Sequence, residues 1–267
     1  MGVKFLIPLL FMFHGDLHER IQLVSSQIDE NSEDPELYVK RGDLYFQHED
    51  FVASVSDFKQ AIIRNTEQYN INYLLARSYY ELDEIDSSEY YLNKQLAVTP
   101  DYFRALQLLG HSYEELGQYE SSVKYLITAL DHIETRIPKN YLDIIDAYRK
   151  CEKDLQITQA VKWCDNAIHD LGPLVVFYDR KIDLCLKSGR LTDAIQSLDE
   201  VIKINQQKEK WLVKRAHIYL SLGMKEEAIK DVQVAFGSFE KLPTYKIKTP
   251  YIQNLIKQMN EILDNIN

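Results

Sequence analysis

Residues Phe103–Ile133 read FRALQLLGHSYEELGQYESSVKYLITALDHI, and this stretch decides the fold. Leu106, Leu109, Gly110 and Tyr113 follow one another at steps of three, one and three, which lines one face of an α-helix. Glu115-Leu116-Gly117-Gln118-Tyr119 then interrupts the pattern. Gly117 supplies the left-handed backbone that ends a helix at low cost. Val123, Leu126, Ala129 and Leu130 form the apolar face of a second helix. The stretch therefore predicts a helix, a short turn and a second helix folded back on the first.

The same unit recurs with a period of 34 residues on both sides. Tyr45, Tyr79 and Tyr113 keep this spacing, as do Ser54, Ser88 and Ser122, and Ala61, Gln95 and Ala129. Further on, Ala160, Ala194 and Ala228 keep it, with Ala167, Val201 and Ala235. A fixed period of this length marks stacked supersecondary units, each burying its apolar face on its neighbours. Small residues hold fixed places: Gly42, Ala76, Gly110 and Ala216 in first helices, and the Ser54 to Ala228 series in second helices. Helices that cross closely need a small side chain at the contact.

Leu109-Gly110, Tyr113, Tyr119, Ala129 and the earlier Pro100 match the order of a known 34-residue pattern. The chain thereby resembles the tetratricopeptide repeat family, and Gly15-Asp16-Leu17-His18-Glu19-Arg20-Ile21 resembles the start of the mature part in its exported bacterial members. The resemblance implies an all-α, right-handed solenoid of about six helix–turn–helix repeats. Residues 35–136 hold three regular repeats, 137–174 an irregular one and 175–237 two more. A helix in 16–34 precedes the array, and residues 250–267 form a capping helix with Ile252, Leu255, Ile256, Met259 and Leu263 on one face. The fourth unit breaks the period: Tyr148 to Ala160 is longer than Tyr113 to Ser122, which predicts a longer turn or first helix around Lys150–Thr158 and a joint between front and back arrays.

Composition agrees. Among 267 residues 45% are apolar, with 9 glycines and 7 prolines, too few for the turns of a β-sandwich of this size. The net charge of −10 repels phosphate backbones and argues against nucleic acid as partner. Lys4 followed by the run Phe5–Phe13 suits the hydrophobic region of a signal peptide over 1–15 and is shorter than a membrane span. Export to the periplasm or outside the cell is the expectation, with no stable membrane insertion after processing; otherwise the chain is cytoplasmic. The alternative is an apolar first turn packed on the solenoid.

Catalytic signatures are missing. The seven histidines form no HExxH, and no nucleotide-binding glycine loop or nucleophile elbow is present. No cofactor and no metal site is expected; His14 and His18, four apart, are better read as a helix start capped by Asp16. Cys151, Cys164 and Cys185 make no CxxC; Cys164 and Cys185 fall in packing columns, as buried thiols or as a disulfide. The family resemblance implies that first helices line a concave groove. Its columns give Asn70, Tyr73, Arg77 and Tyr80, then Arg104, Gln107, His111 and Glu114, and later Val176, Asp179, Asp183 and Leu186. The front thus mixes aromatics, arginines and amides, and the back is acidic. Of the family's five-residue carboxylate clamp, only Arg104 fits among Val39, Asp43, Leu74, Arg104 and Leu108. The chain is expected to be a non-catalytic scaffold that binds a protein or peptide at Asn70, Tyr73, Arg77, Tyr80, Arg104, Gln107 and His111. The alternatives are an assembly component of the cell envelope and, last, an enzyme built on the solenoid.

Overall fold

The computed structural model describes residues 6–151, 153–240 and 242–266, all of whose regular elements are helices. In chain order they are α1 (Leu6–Glu30), α2 (Pro35–Gln47), α3 (Phe51–Ile63), α4 (Ile71–Glu81), α5 (Ile85–Val98), α6 (Phe103–Glu115), α7 (Tyr119–Asp131), α8 (Pro138–Lys150), α9 (Asp154–Leu171), α10 (Val175–Lys187), α11 (Leu191–Ile204), α12 (Glu209–Ser221), α13 (Lys225–Phe239), α14 (Thr244–Ile247) and α15 (Pro250–Asp264). They fall into two compact units, Met1–Thr135 and Arg136–Asn267.

The first unit packs α2 on α3, α4 on α5 and α6 on α7, each pair stacked on the next. The within-pair turns are three residues long, and their middle residue takes a left-handed backbone: Glu49 (φ 62°), Asp83 (φ 58°) and Gly117 (φ 69°). The columns of small residues explain how closely each pair crosses. Ser54, Ser88, Ser122 and Ala76 are fully buried. A Cβ built on Gly110 would lie 2.6 Å from Leu126 Cγ, and one on Gly42 would lie 2.8 Å from the Phe58 ring. Asp34 caps α2, its carboxylate accepting from the Glu36 N–H at 3.0 Å, and Pro35 follows as the first helical residue. α1 covers the open end with Ile21, Val24 and Ile28. The helix extends back to Leu6, across the junction at Gly15. Of the segment read as a signal peptide, Met1–Phe5 and the side chains of 6–15 lie outside the described residues.

The second unit repeats the scheme with α8 on α9, α10 on α11 and α12 on α13. Ala160, Ala194, Ala216 and Ala228 are fully buried. α15 closes this unit against α12 and α13, burying Ile252, Leu255, Met259 and Ile262; Ile256 and Leu263 are partly covered. The irregular fourth pair corrects the sequence expectation. α8 keeps its 13 residues, and α9 begins at Asp154, as soon after α8 as second helices begin elsewhere. The surplus sits inside the second helix, which runs to 18 residues with one extra turn ahead of Ile157, where Leu155 is exposed. A periodicity argument fixes the distance between the Tyr148 and Ala160 columns but cannot say which side of the turn holds the added residues.

Candidate functional site

The groove residues of the first unit stand on the first helices of neighbouring pairs, which touch one another. Tyr73, Arg77 and Tyr80 line one side of α4, and Asn70 is its N-cap. Arg104, Gln107 and His111 lie on α6, where Arg104 is exposed and the other two are half-buried. The structure ties several of these residues to others that the columns did not include, and Asn70 is buried.

Tyr73 packs edge-on against Tyr102 with ring centroids 5.3 Å apart, and the exposed Tyr69 also meets Tyr102 edge-on, at 6.2 Å. Asn70 Nδ2 donates to the Tyr102 hydroxyl at 3.4 Å. Tyr69 and Tyr102 precede their helices, outside the groove columns, so helical spacing could not have flagged them. Gln95 holds this cluster from below. It replaces the alanine of Ala61 and Ala129 and is buried, with Oε1 accepting from the Tyr73 N–H at 3.3 Å and Nε2 donating to the Tyr69 carbonyl at 3.0 Å.

Arg77 lies with its guanidinium 3.7 Å from the centroid of Phe46 and donates to Asp43 Oδ1 at 3.4 Å. Burial raises the Asp43 carboxyl above its ordinary range, and Arg77 opposes that. The pair borders a cleft also lined by Phe46, Phe51, Glu49 and Glu81. The Tyr80 hydroxyl donates to Glu115 at 2.8 Å, and burial followed by this bond pushes its ionisation up. Arg77, one of the groove arginines, is therefore paired with Asp43. Its partner was visible in the sequence as an opposite charge 34 residues earlier in the same column. Val39 and Leu74, two of the five clamp columns, are buried core.

In the second unit, Asp183 accepts from Lys214 Nζ at 2.6 Å and Asp179 lies 3.9 Å from Lys210 Nζ. The acidic columns here are met by lysines from the next first helix. Charge divides differently from what the columns alone suggest: residues 1–135 hold 10 Lys and Arg against 23 Asp and Glu, and residues 136–267 hold 21 against 18. The acidic half is the front. Cys164 and Cys185 are buried thiols, not a disulfide, and burial raises both above the ordinary thiol range. His18 meets the Gln22 amide at 2.9 Å. No cluster of metal-ligating side chains occurs among the described residues, and none of their helices is long and apolar enough to cross a membrane.

Comparison with known proteins identifies the repeat. The tetratricopeptide repeat family model matches residues 103–131. Among curated proteins none matches the chain. Among solved structures, the C-terminal part of a repeat-containing protein of this family from Cytophaga hutchinsonii is similar at TM-score 0.70 and 12% identity, over 97% of this chain and 98% of that one. A tetratricopeptide repeat protein from Parabacteroides merdae is similar at TM-score 0.55 and 18% identity, over 94% of each chain. YrrB, a member with an unusual peptide-binding site, is similar at TM-score 0.50 and 16% identity, over 67% of this chain and 91% of that one.

Proposed function

We propose that this tetratricopeptide repeat chain is a non-catalytic scaffold that binds an extended peptide or helix of a partner protein on the α4–α6 groove of its first unit. The observation that carries the reading is the tyrosine cluster Tyr69, Tyr73 and Tyr102, beside exposed Arg104 and pinned from beneath by Gln95. Rigid, half-exposed aromatics flanked by arginine are the usual anchors of protein interfaces, because they bury much apolar area with little lost freedom. That YrrB has a peptide-binding site on a similar fold supports the class of function. The excess of carboxylates in residues 1–135 favours a basic partner segment, steered by a field that salt weakens. Export is part of this proposal and rests on Lys4 and the apolar run to Phe13.

The test is a Tyr73→Ala, Arg77→Ala, Arg104→Ala triple variant. Its circular dichroism should match the parent, while partners captured from the native host by the parent should be lost. Retention of the same partners by the folded variant would reject this groove. An intact mass starting at Asp16 in the exported fraction tests the localisation.

A further inference from the structure

The second unit contains a pocket set between α10, α12 and α15, with a volume of about 280 Å³, that the groove columns touch only at Asp179. Trp211 lines it. This side chain is 1% exposed, yet its indole N–H has no hydrogen-bond partner among the described residues. A buried donor left unpaired is costly. Lys210 places its ammonium 3.9 Å from the centroid of the Trp211 ring and only loosely near Asp179. Lys214 also lines the pocket but is held tightly by Asp183. Asn254 and Gln258, one turn apart on α15, add two amides, and exposed Tyr251 provides an aromatic rim. The lining is therefore rich in donors, with Asp179 as its one carboxylate, in the unit where basic residues outnumber acidic ones.

We propose that this pocket takes a glutamate side chain of a bound peptide, whose carboxylate accepts from the Lys210 ammonium over the Trp211 ring. Asn254 and Gln258 hydrogen-bond the flanking peptide backbone, and Leu255 and Tyr251 pack on an apolar neighbour of the glutamate. A charged acceptor suits this donor set because charge-assisted hydrogen bonds are about twice as strong as neutral ones. The site belongs to the second unit and uses no residue of the α4–α6 groove.

The chain has two tryptophans, so its indole N–H groups give two cross-peaks in a ¹⁵N-labelled sample. The full chain would be titrated with acetyl-Leu-Glu-Leu-amide and with acetyl-Leu-Gln-Leu-amide. The Trp211 peak should move saturably with the first, and the second should bind at least about fivefold more weakly. Lys210→Met, on a half-exposed side chain, should fold normally and lose most of that preference, and added salt should weaken only the glutamate peptide. An unmoved Trp211 peak, equal binding of the two peptides, or a preference untouched by Lys210→Met overturns the proposal. Glutarate binding as tightly as the glutamate peptide also overturns it, since the ligand would then be a free acid. The triple groove variant should leave this titration unchanged, which keeps the two readings separable.

Discussion

Gln95 accepts a hydrogen bond from the backbone N–H of Tyr73 at 3.3 Å, so a second helix of one pair fixes the start of that pair's first helix. The same amide donates to the Tyr69 carbonyl at 3.0 Å. Both bonds are out of water, with Gln95 only 1% exposed. Gln95→Ala therefore leaves two backbone groups unpaired and should cost about 2 kcal/mol in urea unfolding. Hydrogen exchange at the Tyr73 amide should quicken. An unchanged exchange rate at Tyr73 would mean that the cluster is held by ring packing alone.

A methyl group added at a helical glycine has opposite consequences at Gly110, in a small column, and at Gly237, outside one. An alanine at Gly110 gains roughly 1 kcal/mol of helix propensity but drives its Cβ within 2.6 Å of Leu126. Leu126 is buried, so overpacking should win and Gly110→Ala should lose about 1–2 kcal/mol net. Gly237, inside α13, has nothing within 4 Å of an added Cβ. Gly237→Ala should stabilise by roughly 0.5–1 kcal/mol. Paired melts decide the matter, and a gain at Gly110 would show that Leu126 can shift aside.

These columns were legible because burial repeats with the chain. Ser54, Ser88 and Ser122 share one spacing, Ala160, Ala194 and Ala228 share it again, and all six are fully buried. The groove was legible only as positions. Sequence placed Arg77 and Tyr80 four and seven residues after Tyr73 on one helix and showed Asp43 as an opposite charge in Arg77's column, but not that Asp43 and Glu115 bond them. Tyr69, Tyr102 and Trp211 stand outside the groove columns, and what brings them to a site is packing between elements. Gln95 was visible as an odd member of an alanine column. Reading it as a brace would have required knowing what lies beside it.

Asp170 is held at about 2, chiefly by the Tyr141 hydroxyl, then by His169 and Arg136. The depressed value means that the folded unit prefers the carboxylate. This contribution is complete above the ordinary aspartate range near pH 4 and is lost as pH falls from about 4 towards 2. Tyr141→Phe removes the largest cause, so the Asp170 carboxyl should titrate closer to 4 by carbon NMR. Acid unfolding of the second unit should begin at higher pH. An Asp170 value that stays near 2 would assign the effect to Arg136 and His169.

Glu49 and Asp83 occupy the left-handed position that Gly117, Gly189 and Gly223 take in the other described turns. A side chain there costs about 1–2 kcal/mol, less for aspartate, whereas glycine costs nothing locally but loses more entropy on folding. Glu49→Gly should therefore gain roughly 0.5–1 kcal/mol, and Asp83→Gly a few tenths. Thermal melts of the two variants should rank in that order; destabilisation by Glu49→Gly would mean that its side chain makes a contact worth more than the backbone strain.

The extra turn of α9 offers the sharpest check on the repeat. With Asp154, Leu155 and Gln156 removed, Ala160 would fall four residues into its helix, where Ser122 stands in α7. The deleted turn exposes Leu155 and lies ahead of the buried positions Ala160, Val161 and Cys164. The three-residue turn after α8 would then lead into a helix of ordinary length, with every core column in register. The deletion should fold with a change in stability of no more than about 1 kcal/mol, as judged by urea unfolding, because it removes little buried area. A large loss would show instead that the turn braces the unit, and that the break in period is a structural requirement and not an insertion the stack tolerates.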